Sequence, residues 1–320
     1  MPIPQSLAQL RLPLIGAPLF IVSNPELVIA QCRAGILGSF PALNARESGE
    51  LARWLEQIQQ ALAEPQPAGC PYPVAPFAVN QIVHPSNPRL AEDIELAVRY
   101  RVPIMITSLH APTPVVQAAK TYGGLVFHDV ISLRHAEKAI EAGVDGLILV
   151  TAGAGGHAGP LNPFAFIEEV RKIYSGTIIL SGAMSRGHHV LAAQAMGADL
   201  AYMGTRFIAS AEARAIPEYK QMVVESGAED IVSSSSFTGV LGNYLRGSIV
   251  RAGLNPDELI QSDKSKVDFA SLRKNAGQKA WKDIWGAGQS VAGITAVMPA
   301  GQIVDQLEQE YRSARQRLGG

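Results

Sequence analysis

The chain has only two cysteines, Cys32 and Cys70, in 320 residues. Two thiols exclude a disulfide framework and a cysteine-rich metal site, and they are typical of a protein in the reducing cytoplasm. Charged residues make up 17% of the sequence and the formal net charge is -1, so we expect no binding surface for nucleic acid. Since the chain also lacks a secretion signal and any 18-residue apolar run, we expect a cytoplasmic protein without a membrane partner.

Several catalytic patterns are missing as well. The sequence has no paired carboxylates of the glycosidase type and no Gly-x-Ser-x-Gly, which excludes the corresponding hydrolases. The adjacent histidines His188 and His189 point away from each other on a helix, so they do not form a joint metal site. No metal site is therefore predicted.

A strand-then-helix alternation repeats eight times along the chain. The predicted strands end near Ala17, Phe40, Asn80, Ser108, His128, Val150, Ser181 and Gly204. Runs such as 103–108 and 177–182 are apolar almost throughout, as a parallel sheet covered on both faces requires. Eight units favour a closed (β/α)₈ TIM barrel over an open doubly wound sheet, and no Gly-x-Gly-x-x-Gly follows the first strand.

The alternation stops after Gly204. We expect a barrel formed by residues 1–210 and 280–320, with a small, mainly helical lobe (211–279) inserted after strand eight. The last barrel helix is predicted near Trp281–Ile294, before a polar terminal helix at about 302–317. An insertion at this point hangs over the carboxyl-terminal mouth of the barrel, where such folds carry their active sites. The lobe is therefore a candidate lid, with Phe237, Leu241, Tyr244 and Leu245 available to line a substrate pocket.

Residues 150–160 contain four glycines, three alanines and a single titratable side chain, His157. Such a loop allows the backbone to approach a flat ligand closely, and a histidine just past a strand is well placed to act as a general base. The alternative is a tight turn whose histidine only caps the next helix.

Two neighbouring strand ends are composed of small residues. Strand seven ends in Ser181, Gly182 and Ala183, and strand eight is followed by Gly204 and Thr205. Bare backbone N–H groups beside a helix N-terminus can bind a phosphate without a lysine. The alternative is that these glycines only permit tight strand–helix turns.

Other strand ends provide a possible wall for a flat ring. Ala17, Pro18 and Leu19 follow strand one, Asn80 ends strand three, and Asp129 follows strand five. Taken singly, the polar residues could be turn formers or helix caps. Taken together with a phosphate site opposite, they indicate flavin mononucleotide, FMN, which has one phosphate and one flat polar ring.

The sequence resembles the flavin-dependent nitronate monooxygenases, formerly called 2-nitropropane dioxygenases, over most of its length. The resemblance is carried by short motifs at 12–19, 78–80, 142–145, 155–159, 181–184 and 203–207. Gly-Gly-His-Ala-Gly, Ser-Gly-Ala-Met and Met-Gly-Thr-Arg-Phe, in that order and spacing, are its most specific part. It implies an FMN-binding barrel with His157 as the catalytic base.

The resemblance also implies which residues contact the cofactor. They are Ala17, Pro18, Leu19, Asn80, Gly182, Ala183, Gly204, Thr205 and Gln289, the last from a segment at 285–289 that closes the site. The predicted cofactor site also includes Asp129, Gly155, Gly156 and Ser181, which lie at strand ends or in the loop at 150–160. The chain departs from several relatives, which have glycine in place of Ala183, lysine in place of Asp129 and, in some cases, an acid in place of Val150. Charge near the ring tunes a flavin, so these positions bear on its redox properties.

The implied reaction is oxidation of a nitroalkane or its nitronate by dioxygen to a carbonyl compound and nitrite. In this interpretation neutral His157 removes the α-proton of a nitroalkane, and protonated His157 binds an anionic nitronate. Two alternatives stay open: an NAD(P)H-dependent FMN reductase acting on quinones or enoyl thioesters, and a non-catalytic flavin-binding protein. A homo-oligomer is compatible with the sequence.

Overall fold

Two β-sheets contain the strands in the part of the chain that the structure describes. A computed structural model describes residues 3–237, 239–261 and 283–319. The central sheet consists of β1 (Leu14–Gly16), β2 (Gly38–Pro41), β3 (Phe77–Val83), β4 (Ile104–Leu109), β5 (Leu125–Val130), β6 (Gly146–Val150), β8 (Thr177–Ser181) and β9 (Leu200–Met203). The second sheet consists of β7 (Gly156–His157), β10 (Ile231–Ser234) and β11 (Gly242–Leu245).

The central sheet is a closed parallel barrel. Its strands pair in the order β1-β9-β8-β6-β5-β4-β3-β2, and a parallel bridge between Ile15 and Leu37 joins the two ends. The backbone N–H of Gly16 donates to Leu37 O at 2.8 Å across this junction. The prediction of a (β/α)₈ TIM barrel is confirmed.

Each barrel strand buries both of its faces. Along β5, Phe127 belongs to the cluster inside the barrel, whereas Val126 and Val130 pack outward beneath the helices. This alternation places every second residue at the upper end of a strand in the barrel mouth. It therefore decides which polar side chains can meet a ligand there.

The helices run in chain order around the barrel and through the lobe. They are α1 (Pro25–Arg33), α2 (Glu50–Ala63), α3 (Leu90–Arg99), α4 (Thr113–Lys120), α5 (Leu133–Glu141), α6 (Pro163–Ile173), α7 (Gly187–Ala195), α8 (Thr205–Ile208), α9 (Pro217–Glu225), α10 (Arg246–Arg251), α11 (Pro256–Gln261) and α12 (Ala300–Gly319). Among the described residues, no helix is both long enough and apolar enough to cross a membrane.

The last barrel helix is not where the sequence predicts it. Residues 281–282 lie outside the described residues, and 284–288 form irregular chain that leads into a 3₁₀ helix at Gln289–Gly293. The terminal helix α12 instead packs against α7 and α1 and completes the outer ring. The apolar face of α12 includes Ile303, Val304 and Leu307. This face explains the packing, because a helix packs onto a core through its apolar side chains.

The lobe contains the second sheet, which the sequence does not predict. β10 and β11 come from the lobe, whereas β7 belongs to the loop after barrel strand β6. Gly242 pairs with His157 and Asn243 pairs with Gly156, both antiparallel. Three helices, α9, α10 and α11, accompany this sheet in the described part of the lobe. The sheet thus joins the barrel loop that carries His157 to the lobe.

The outward-facing His128 on β5 gives the fold a pH dependence. Its Nδ1 lies 2.8 Å from Thr107 Oγ1, and burial lowers the pKa of His128 to about 4. The unfolded chain binds a proton near pH 6.5 whereas the folded chain does not, so stability falls as the pH drops from about 6.5 to 4. At ~1.4 kcal/mol per pKa unit, the loss amounts to about 3 kcal/mol.

Denaturant unfolding at pH 7 and pH 4.5 checks this expectation, with His128→Gln compared with the unchanged chain. The variant is expected to show a smaller stability loss on acidification, because its side chain does not titrate. An equal loss in both proteins would assign the acid sensitivity to other groups.

Candidate active site

A cavity of about 620 Å³ opens at the carboxyl-terminal mouth of the barrel. Its lining brings together all but one of the residues predicted for the site: His157, Ala17, Pro18, Leu19, Asn80, Asp129, Gly155, Gly156, Ser181, Gly182, Ala183, Gly204 and Thr205. Gln289 is the exception, because its side chain is exposed outside the lining and its backbone N–H donates to Gly153 O at 2.9 Å. Its neighbour Ser290 lines the cavity instead.

The turns after β8 and β9 form one wall of the cavity. No hydrogen bond in the described part of the chain uses the backbone N–H groups of Gly182, Ala183 and Gly204. The single-turn helix α8 begins beside them at Thr205, whose Oγ1 accepts from Gly288 N at 3.0 Å. We call this wall, residues 181–183 and 204–205, the backbone cradle. It offers donors to an anion without a cationic side chain.

The backbone geometry of the cradle requires glycine at position 182. Gly182 has φ +151°, and an added Cβ would contact Thr151 Oγ1 and come within 3.0 Å of Ala152 O. At Gly204 a Cβ would lie 3.1 Å from Leu19 Cδ2 and 3.5 Å from Ala17 Cβ. Anything larger than a hydrogen at position 204 therefore occupies space between the cradle and the loop after β1.

A hydrogen-bonded row of polar side chains forms the opposite wall. Asn80 Nδ2 donates to Ser108 Oγ at 2.9 Å, and Ser108 Oγ donates to Asp129 Oδ2 at 2.6 Å. The other carboxyl oxygen, Oδ1, is buried and has no partner in the described residues. Burial raises the pKa of Asp129 to about 6, while the Ser108 hydrogen bond opposes the rise. Tyr202 shares the lining, and burial together with the nearby Asp129 raises its pKa.

The loop after β1 is held in position by Asn44. Its Nδ2 donates to Leu19 O at 2.9 Å and to Ser23 O at 2.8 Å, and its Oδ1 accepts from Ile21 N at 2.8 Å. Ile21 has φ 60°, a left-handed conformation that a β-branched residue rarely adopts. Asn44 therefore holds the loop that brings Leu19 against Gly204.

Backbone strain is concentrated in this cavity. Four non-glycine residues have a positive φ in the described chain, and three of them, Ile21, Leu109 and Ala183, line the cavity. Such conformations cost about 1–3 kcal/mol each and persist where the surroundings impose them, most often at functional sites.

His157 stands at the cavity mouth on the edge strand β7. Asn243 supports this loop, since its Nδ2 donates to Ala154 O at 2.6 Å. The His157 side chain is exposed toward the cavity, yet the surrounding protein desolvates it enough to lower its pKa. The imidazole is therefore neutral near pH 7, as a general base requires.

The lobe reaches the cavity through residues other than those expected. Phe237 and Tyr244 pack edge to face, with ring centroids 4.9 Å apart, and Tyr244 belongs to a cluster with Val232, Ile249 and Ile284. Tyr244 and Leu245 are fully buried, and none of the four predicted lobe residues is in the lining. Tyr219 and Val240 of the lobe line the cavity instead, together with Ile284 and Trp285 of the segment that follows the lobe. The prediction that Phe237 and Tyr244 face a substrate is wrong, because the lobe needs large apolar groups for its own core.

Four residues that line the cavity or hold its loops were not predicted from the sequence: Ser108, Tyr202, Asn44 and Asn243. Only Ser108 could have been found from its position in the sequence, because it ends a predicted strand. The roles of the other three residues depend on long-range contacts. The described lining residues include no lysine or arginine. Arg206 follows the cradle in sequence but points away, toward Met298 and Gln306 of the terminal region. Among the described residues no cluster of three or more His, Cys, Asp or Glu could hold a metal ion.

Comparison with known proteins assigns this barrel to a family. A family profile described as nitronate monooxygenase matches residues 3–310. The chain belongs to the nitronate monooxygenase family. It is therefore an enzyme, an oxidoreductase, and the resemblance seen in its motifs is confirmed. A curated nitronate monooxygenase of Paraburkholderia phytofirmans is 27% identical and aligns over 96% of this chain and 94% of its own.

More distant relatives carry other names. A Mycobacterium tuberculosis protein named (3aS,4S,5R,7aS)-5-hydroxy-7a-methyl-1-oxo-octahydro-1H-indene-4-carboxyl-CoA dehydrogenase is 24% identical over 83% of this chain and 70% of its own. FabK from Thermotoga maritima superposes with a TM-score of 0.78 at 24% identity, covering 98% of this chain and 97% of its own. Nitroalkane oxidase from Streptomyces ansochromogenes superposes with a TM-score of 0.78 at 22% identity, covering 98% of this chain and 99% of its own. These two structures show the shared barrel fold.

Proposed function

We propose that this member of the family uses FMN and dioxygen to oxidise alkyl nitronates and nitroalkanes to a carbonyl compound and nitrite. One observation carries the proposal: a single cavity has His157 at its mouth and the backbone cradle in its wall. The family membership supports the reaction class, and the cavity supports the roles of the residues.

The residues present fit FMN. The cradle offers unpaired N–H groups suited to one phosphate, and the row of Asn80, Ser108 and Asp129 offers hydrogen-bonding groups suited to a polar ring edge. Apolar residues after β1, among them Leu19, suit the ring face. A cavity of about 620 Å³ is within the range of sites for ligands of this size.

The protein's own contribution is binding, proton transfer and exclusion of water. Neutral His157 accepts the α-proton of a nitroalkane at a ring nitrogen, and the resulting imidazolium pairs with the nitronate anion. Bound flavin would supply the electron transfer and the reaction with dioxygen. Val240 of the lobe, together with Ile284 and Trp285 of the segment that follows it, covers the mouth and excludes water, which strengthens the contact between histidine and anion.

The visible spectrum and nitrite release of the purified protein test the proposal. We expect flavin absorbance, release of FMN on denaturation, and nitrite production from nitroethane and its nitronate in air. Rapid anaerobic bleaching by NADH or NADPH, without nitrite production from either nitro compound, would instead support the quinone or enoyl-thioester reductase. A colourless protein would contradict both.

We propose that the lobe acts as a lid whose Val240 limits the length of the substrate chain. Val240 is exposed at the cavity mouth, so Val240→Phe adds bulk where an alkyl chain would leave the barrel. The ratio of kcat/KM for 1-nitrohexane nitronate to that for ethyl nitronate is expected to fall about tenfold, since pocket contacts of one or two methylenes are worth that much.

The matched control is Val250→Phe, an exposed lobe valine on α10 outside the lining. It should leave the ratio unchanged, and flavin content should stay the same in both variants. An unchanged ratio in Val240→Phe would place the substrate chain elsewhere.

A further inference from the structure

Asp129 is a buried acid in the cavity wall. Ser108 donates to its Oδ2, but Oδ1 has no partner among the residues that the structure describes and is shielded from solvent. No described arginine or lysine lines the cavity. A carboxylate in such a place is costly unless it is neutralised or receives a further donor. The free oxygen therefore requires either a proton or a ligand group.

The hydrogen bonds around Asp129 have a definite direction. Asn80 donates a hydrogen bond to Ser108, and Ser108 donates in turn to Oδ2 of Asp129. The last hydrogen bond of this row is therefore accepted by the carboxyl group. Oδ2 is thereby held as an acceptor. If the acid carries a proton, that proton resides on Oδ1, and Oδ1 becomes the donor of the row.

The barrel order places two residues of this row, Asn80 and Ser108, opposite the backbone cradle. Around the ring, β1 and β2 separate β9 from β3 on one side, and β6 and β5 separate β8 from β4 on the other. Asn80 and Ser108 lie on β3 and β4, whereas Asp129 lies on the adjoining β5, which only β6 separates from β8. A ligand whose phosphate lies in the cradle and whose ring spans the mouth therefore brings its far side to the row.

We propose that Asp129 is protonated in the flavin-bound enzyme and donates a hydrogen bond through Oδ1 to an acceptor on the polar edge of the ring. The inference rests on the flavin of the proposed function. A ring over the mouth lowers the polarity around the whole carboxyl group and raises the pKa of the acid further above the value of about 6 that burial gives it. A neutral donor at this edge stabilises the electron-rich reduced ring more than the oxidised ring, so Asp129 raises the reduction potential.

The experiment measures the two-electron midpoint potential of bound flavin at pH 7, without a nitro substrate, in Asp129→Asn and Asp129→Ala. Asparagine keeps both the acceptor for Ser108 and a neutral donor, so its potential should stay close to that of the unchanged enzyme. Alanine removes the donor, and a tenfold loss of preference for the reduced ring lowers the potential by ~30 mV. Ser108→Ala, which frees Oδ2, should lower it by less.

Other outcomes overturn the inference. A higher potential in both Asp129 variants would show that the native group is an ionised carboxylate beside the ring. Unchanged potentials in both would place Asp129 away from the ring. If Asp129→Ala retains no flavin, Asp129→Leu fills the same space without a donor and is subject to the same expectation.

A control variant and the choice of readout keep the inference separate from the proposed function. Asp305→Asn removes an acid from α12, where it is 63% exposed and paired with Arg11, and should leave the potential unchanged. Because no nitro compound is present, failure to oxidise nitronates does not affect the result. Absence of flavin from the unchanged protein, by contrast, would contradict the proposed function itself.

Discussion

Replacing His157 with asparagine is expected to abolish most turnover of neutral nitroalkanes while leaving flavin content unchanged. The histidine belongs to the edge strand β7 and not to the backbone cradle, so the variant keeps the residues proposed to hold the phosphate. A well-placed general base contributes roughly 10²–10⁴-fold, and asparagine cannot accept the α-proton. The measurement is kcat/KM for nitroethane, followed by nitrite release.

Preformed nitronates separate proton abstraction from anion binding. No C–H bond needs to break in these substrates, so His157→Asn should lose less activity on ethyl nitronate than on nitroethane. Because burial lowers the pKa of His157, the acid limb of the nitroalkane profile should lie below pH 6.5 and be absent in the variant. Equal, small losses on both substrates would show that the base lies elsewhere. His188→Asn, an exposed histidine on α7, is the matched control.

Gly204→Leu is expected to yield a folded, colourless protein. The new Cβ would lie 3.1 Å from Leu19 Cδ2, and this flexible side chain can move by a few tenths of an ångström. The rest of the leucine would fill the space beside the N–H groups of the cradle, where we place the phosphate. Flavin content per protein, read from the ratio of visible to ultraviolet absorbance, should fall at least tenfold, while circular dichroism stays unchanged.

Gly301→Leu is the control for the same substitution on the barrel surface. An added Cβ there has no neighbour within 4 Å, and position 301 lies on α12 rather than in the lining. It should bind flavin normally. Yellow, fully loaded Gly204→Leu protein would refute the placement of the phosphate.

The barrel and its cradle could be read from the sequence because their signals are local. A buried parallel strand is an apolar run, and a cradle is a short stretch of small residues at the end of that run, as at 177–183. Strand parity then explains why Asp129 lines the cavity while the adjacent His128 packs outward. The position of the last helix was wrong because the terminal helix was interpreted as polar, although Ile303, Val304 and Leu307 give α12 an apolar face that packs against α7 and α1.

The remainder of the site depends on pairing across long stretches of chain. A two-residue strand such as β7 has no periodicity of its own, and only its pairing with strand β11 of the lobe identifies it. The contacts of Asn44 with the loop after β1 are likewise invisible at the level of composition. Tyr244 resembled a pocket residue because it is apolar and follows the barrel, but a core tyrosine has the same local sequence.

Because β7 of the barrel loop pairs with β11 of the lobe, mutations in the lobe and mutations in the barrel should have different effects on the enzyme. The backbone cradle belongs to the barrel, whereas the backbone that presents His157 is completed by a strand of the lobe. Local opening of the lobe would therefore release the histidine while the barrel stays folded and coloured. In a collection of randomly mutated clones, many inactive proteins should still be yellow, and their substitutions should cluster in the lobe core rather than around the cofactor. Colour would thus report on the barrel, and nitrite production on the lobe.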